Sequence, residues 1–103
     1  MEDWKPAIRF LQELVGELDA GCSVSEKAAL LGGATVLLDG LSQVVKDHYQ
    51  DNSYAREKIH KARWSILAAL ELDTTNGHDS EQHRSWARGE LNTLESVLSK
   101  SPN

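Results

Sequence analysis

The side chains best suited to chemistry gather around one stretch of this 103-residue chain: Asp47 and His48, then Asp51, then His60. Imidazole and carboxylate groups at short separation are the material of a metal site or an acid–base pair. A metal-dependent enzyme would need His48, Asp51 and His60 to converge around a cleft. Their spacing fits no ligand motif, and His48 projects on the same side of a predicted helix as Leu37, Leu41 and Val44. The pattern therefore predicts a partly buried, hydrogen-bonded histidine. His78 and His83 straddle another predicted helix start, as a loop histidine beside a helical one. Cys22 is the single cysteine; it sits in a predicted loop, and no histidine has a context that marks it as a base. Gly32-Gly33 lies inside a predicted helix, where its N–H groups are already used, so it makes no phosphate cradle. The sequence predicts no catalytic residue, no metal and no cofactor.

Binding chemistry is better represented. Arg56, Lys58, His60, Lys61 and Arg63 crowd into the first half of a predicted third helix, after a short turn of the kind found in helix-turn-helix proteins. A nucleic-acid-binding regulator would line these cations along one surface. On a helical wheel they scatter, Glu57 is interleaved, and the formal charge of −5 repels a polyanion. Trp64 falls nearly opposite Ala62 and Ile66, beside His60, Leu67 and Glu71. A tryptophan and a leucine ringed by charge have the composition of a protein-binding hot spot. The competing expectation buries Trp64 against helix one or a flanking loop. Trp86, with His83, Glu90 and Val97 on the edge of a fourth helix, repeats the pattern more weakly, and Trp4 is expected in the core.

Four helices must position these groups. From Trp4 to Leu18, Trp4, Ile8, Leu11, Val15 and Leu18 recur at 4-3-4-3, one helical face, widened by Ala7, Phe10 and Leu14; Asp3 is its expected N-cap. After a loop at Asp19–Cys22, Ser23 and Glu26 form a capping box. The helix that follows, residues 24–50, is apolar over more than one side. Leu30, Leu31, Ala34, Leu37, Leu38, Leu41, Val44, Val45 and Tyr49 fill a broad arc, and Ala29, Gly33, Val36 and Gly40 form a second strip at 4-3-4 spacing. Each glycine costs about 1 kcal/mol relative to alanine in a helix interior. Their alignment on one line favours a continuous helix approached closely by another. Such a helix is expected to have neighbours on two or three sides, and the strip is read as the seam of a homodimer.

Ser53 is the expected cap of a third helix, residues 53–73, with Ala55, Ile59, Ala62, Ile66, Ala69 and Leu70 inward. Asp79, with Gln82 three places on, caps a fourth, residues 79–99, with Ala87, Leu91, Leu94 and Leu98 inward. The tail from Ser101 is expected to fray. No segment alternates at period two, so the fold class is all-α: one domain, residues 1–103, folded as an antiparallel four-helix bundle around a long second helix.

The composition, 40% hydrophobic and 26% charged, is that of a globular chain. The acidic first residues do not resemble a secretory signal, no apolar run was expected to reach the length of a membrane span, and a lone cysteine suits a reducing compartment. A soluble cytoplasmic protein without a membrane partner is the expectation. The functional expectation is a non-enzymatic helical module, a regulator or inhibitor that binds another protein through Trp64, Leu67, His60, Glu71 and Trp86. The rivals are a nucleic-acid-binding regulator and a metal-dependent enzyme.

Overall fold

A computed structural model describes residues 4–19, 21–72 and 76–100. Four helices follow one another: α1 (Trp4–Val15), α2 (Val24–His48), α3 (Ser53–Ala69) and α4 (Ser80–Leu98), with no strand among the described residues. The chain is an all-α four-helix bundle. Contacts run α1 to α2, α2 to α3, α3 to α4 and α4 back to α1, the closed ring that short connections between antiparallel helices produce. The first three helices end a little earlier than their apolar patterns. Leu18 is buried but lies in the turn after α1, and α3 stops at Ala69 instead of residue 73.

Local chemistry explains the boundaries. Ser23 and Glu26 form the expected capping box at the start of α2, and Asp79 Oδ1 accepts from the Gln82 N–H at 2.8 Å at the start of α4. Before α3 the cap is Asn52 and not Ser53: Asn52 Oδ1 accepts from the Ala55 N–H at 2.9 Å, which makes Ser53 the first helical residue. A planar amide acceptor one position earlier reaches the same orphan N–H groups. α3 ends as Glu71 enters the left-handed region at φ 59°, and the Leu72 N–H returns to the Leu67 carbonyl at 2.8 Å. This is the Schellman closure that glycine usually provides. Side chains from other helices serve further terminal carbonyls: Tyr49 donates to Leu98 O, Ser80 to Ala69 O, and Arg84 Nη1 to Leu18 O at 2.9 Å. The expected cap Asp3 and the tail from Ser101 lie outside the described residues.

The core is built from the expected faces. Trp4, Ile8, Leu11 and Val15 of α1, Ala34, Leu38, Leu41 and Val45 of α2, Ala55, Ile59, Ala62, Ile66 and Ala69 of α3, and Ala87, Leu91, Leu94 and Leu98 of α4 are all buried in one cluster. α3 is covered more widely than its inner stripe suggested, since Ser65 and Ala68 are also buried. Together with Ala62 and Ala69 they form a smooth flank, and α3 with α4 makes the most extensive helix pair. Small side chains allow this close approach of two backbones.

α2 departs from expectation in two ways. It is continuous through Gly32-Gly33, as the alignment of its small residues suggested, but within one chain it is buried along a single arc. Leu30, Leu31, Leu37 and Val44 are half-buried, and Ala28, Ala29, Gly32, Gly33, Val36 and Gly40 face outward, with Val36 71% exposed. α2 therefore has two neighbours, α1 and α3, and no described residue covers its outer line. α1 is the reason: at 12 residues it spans about 18 Å, half the reach of the 25-residue α2. Phe10, expected to widen the α1 face, is 56% exposed. It extends the outward apolar surface, because Leu14, one turn on, lies 3.5 Å from where a Gly33 Cβ would be. By length and composition α2 is also apolar enough to cross a membrane, contrary to the expectation that no such run exists. Ala34, Leu38, Leu41 and Val45 are the part of that apolarity that packs the bundle, and only 22% of the apolar window is buried.

Candidate functional site

α3 and α4 bring the tryptophans together. Trp64 is half-buried, and the element that covers it is α4, not helix one or a loop. His83 sits between the two indoles, fully buried. Its ring meets Trp64 edge to face at 5.1 Å between centroids and 87°, and Trp86 at 5.2 Å and 76°. His78, in the loop before α4, closes on the outside, 4.8 Å from Trp86. Edge-to-face rings at these separations attract through their quadrupoles by about 0.5–1.5 kcal/mol beyond the area they bury. The four rings thus form a locked unit across the tightest helix pair of the bundle. Trp64 and Trp86 then wall one open cleft of about 280 Å³, completed by Lys61, Ser65 and Glu90. Trp86 remains 38% exposed.

Charged groups frame the cleft. Lys58 Nζ lies 3.0 Å from Glu90 Oε2, tying α3 to α4 with both side chains largely covered, and stands 5.1 Å from the ring centroid of Tyr54. The hydrogen bond that the Lys58 ammonium donates to Glu90 raises it above the ordinary lysine range, against a smaller opposing effect of burial. Lys61 pairs with Glu57 at 2.9 Å, and that hydrogen bond, followed by the attraction of the Lys61 charge, holds the Glu57 carboxyl below its ordinary value.

The remaining expected partners of Trp64 separate from it. His60 is exposed on the other side of α3, in a cleft between α2 and α3 with Asp39, Lys46, Asp51, Arg56 and Arg63. Leu67 is half-buried outside the tryptophan cleft, and Glu71 lies past the end of α3. A wheel places residues four apart on one side, but α2 and α4 divide that side between them. Sequence reasoning missed Ser65 and Lys61 as walls and His83 as the ring that joins the indoles. A signal for His83 existed: it continues the stripe of Ala87, Leu91, Leu94 and Leu98 by one more turn.

The other constellations do not assemble. His48 is exposed, not partly buried: in the last turn of α2 the core face is carried by Val45, with Tyr49 packed beside it, and His48 lies off that face. Among the described residues no three of His, Cys, Asp and Glu come together as a metal-binding group, so His48, Asp51 and His60 do not converge. Each cation of the α3 cluster has its own carboxylate: Arg56 with Asp51 at 3.1 Å, Lys58 with Glu90, Lys61 with Glu57, and Arg63 with Asp39 at 2.9 Å. They divide among different sides of α3 and make no continuous positive surface. Comparison with protein-family models, curated proteins and solved structures finds no match to this chain.

Proposed function

We propose that this protein is a non-enzymatic helical interaction module, a regulator or inhibitor that works by binding a partner protein at the Trp64–Trp86 cleft. The observation that carries this reading is the convergence of two indoles from adjacent helices on one open cleft, held in place by buried His83. A rigid aromatic pair loses little conformational freedom on binding and presents a large apolar area, the properties of a binding hot spot. The reading narrows the site to Trp64 and Trp86, with Lys61 and Glu90 as its polar rim. His60, Leu67 and Glu71 belong to it only as outlying contacts.

The same reading takes the protein as a cytoplasmic homodimer whose seam is the outer line of α2: Ala29, Gly33, Val36 and Gly40. All four are exposed, and the eleven residues from Ala28 to Leu38 carry no ionisable side chain. Two copies of a chain with net charge −5 could meet there without opposing charges of like sign. The pairing of every α3 cation argues against the nucleic-acid reading.

Affinity capture from the native host, with wild type compared with Trp64→Ala and Trp86→Ala, tests the cleft. Recovery of one partner by wild type and by Arg56→Gln, but by neither tryptophan variant, is expected. Equal recovery by all four would remove the cleft from the function.

A further inference from the structure

A second charged groove runs between α1 and α4, lined by Lys5, Ile8, Arg9 and Gln12 on one wall and Arg88, Asn92 and Glu95 on the other, with a volume of about 390 Å³. Arginine in a folded chain usually finds a carboxylate or a carbonyl, and three of the five here do so: Arg56, Arg63 and Arg84. Arg9 and Arg88 make no side-chain hydrogen bond or ion pair among the described residues, and both line this one groove. Acidic residues outnumber basic ones 16 to 11 in the chain, yet neither guanidinium has a carboxylate partner among the described residues, of which Glu95 is the one carboxylate that lines the groove.

We infer that the α1/α4 groove binds an acidic polypeptide segment, with Arg9 and Arg88 each receiving a carboxylate. The guanidinium fork presents two parallel N–H donors matched to a carboxylate's two oxygens. The middle of the groove selects a peptide over a simple anion. Gln12 Nε2 donates to Asn92 Oδ1 at 2.7 Å and lies 3.4 Å from the Arg88 carbonyl, so a pair of side-chain amides spans the two helices. The Gln12 amide is spent in that link, but Asn92 is exposed and presents its own N–H donors and a second Oδ1 lone pair, a donor and an acceptor together as a peptide backbone requires, whereas phosphate only accepts. Arg88 is level with Gln12, and Arg9 is three residues, about 4.5 Å, further along the axis. That offset is within the reach of two acidic side chains on one extended strand. The groove is distinct from the tryptophan cleft. Arg88, Asn92 and Glu95 leave α4 on the flank opposite Trp86 and Glu90, with Ala87, Leu91 and Leu94 buried between them, so the inference stands whether or not the cleft binds a partner.

The test uses the full chain and a fluorescein-labelled octapeptide of alternating Glu and Gly, followed by anisotropy at low salt. The Glu peptide is expected to bind, and its Gln counterpart is not. The double variant Arg9→Gln with Arg88→Gln should weaken binding about tenfold or more, the worth of one charge-assisted hydrogen bond. Arg56→Gln with Arg63→Gln, and Trp64→Ala, should leave it within about twofold. Should the double variant not fold, the side-chain amide resonances of Gln12 and Asn92 in the unaltered protein give the answer, by shifting saturably as peptide is added. Absence of binding to the Glu peptide, wild-type affinity in a folded Arg9/Arg88 variant, or amide signals that stay in place would each overturn the inference. Tighter binding of pyrophosphate or of a short DNA duplex would overturn it as well, in favour of phosphate chemistry.

Discussion

Replacing Gly40 by alanine, with Gly89→Ala as its matched control, asks whether anything packs on the outer face of α2. Both glycines are exposed and interior to long helices, and an added Cβ at either would meet no atom within 4 Å. In an isolated chain the two substitutions should act alike. Each removes the excess backbone freedom that glycine has when unfolded, worth about 0.8–1.0 kcal/mol. For a domain of this size that raises the melting temperature by about 4–8 °C. A second copy lying on Ala29, Gly33, Val36 and Gly40 breaks the symmetry, because a methyl between closely approaching backbones overpacks the seam by about 1–3 kcal/mol. Under the proposal Gly89→Ala is stabilised, and Gly40→Ala gains nothing or melts earlier. The wild-type melting temperature should also rise with protein concentration, as linkage to association requires. Calorimetry over a range of concentrations reads both effects, and light scattering of Gly33→Leu should show the mass of a single chain. Equal gains at Gly40 and Gly89, with a melting temperature independent of concentration, would refute the seam.

Other consequences follow from the helix ends and ion pairs. Asn52→Ala should destabilise the fold by about 1 kcal/mol through loss of the α3 cap, while Ser53→Ala leaves urea unfolding nearly unchanged; the reverse order would restore Ser53 as cap. Glu71→Gly relieves a left-handed backbone at φ 59° and should stabilise by about 0.5–1 kcal/mol in the same assay, the net of removed strain and added unfolded-state freedom. Lys58 is held above its ordinary range by Glu90, so its contribution is complete below the unfolded lysine pKa and disappears as pH rises through the folded value. Glu90→Gln should therefore flatten the alkaline fall in stability and lower the Lys58 titration seen by NMR. Glu57 has the opposite sign: its carboxyl is held low by Lys61, so its contribution is present above the unfolded glutamate pKa and disappears as pH falls through the folded one. Glu57→Gln should remove part of the acid-side slope.

Periodicity and capping chemistry by themselves determined the four helices, their order and most of the core. These are local properties: a side chain's place on its own helix follows from 3.6 residues per turn, and an oxygen three residues from an N–H caps it without help from the rest of the fold. The Ser23–Glu26 box and the stripe Ala87, Leu91, Leu94 and Leu98 were legible for that reason. Three things depended on how the helices face one another. Which neighbour covers Trp64 turned on α4 and not α1 packing against Ser65 and Ala68. His60 parted from Trp64 because two different helices border α3. The fate of the cations was decided by carboxylates distant in sequence, Asp39 for Arg63 and Glu90 for Lys58, while Arg9 and Arg88, 79 positions apart by their residue numbers, were left facing one groove. One helix's wheel records its own angles and nothing of its neighbours, so charge pairing and exposure across helices become definite only when the bundle closes.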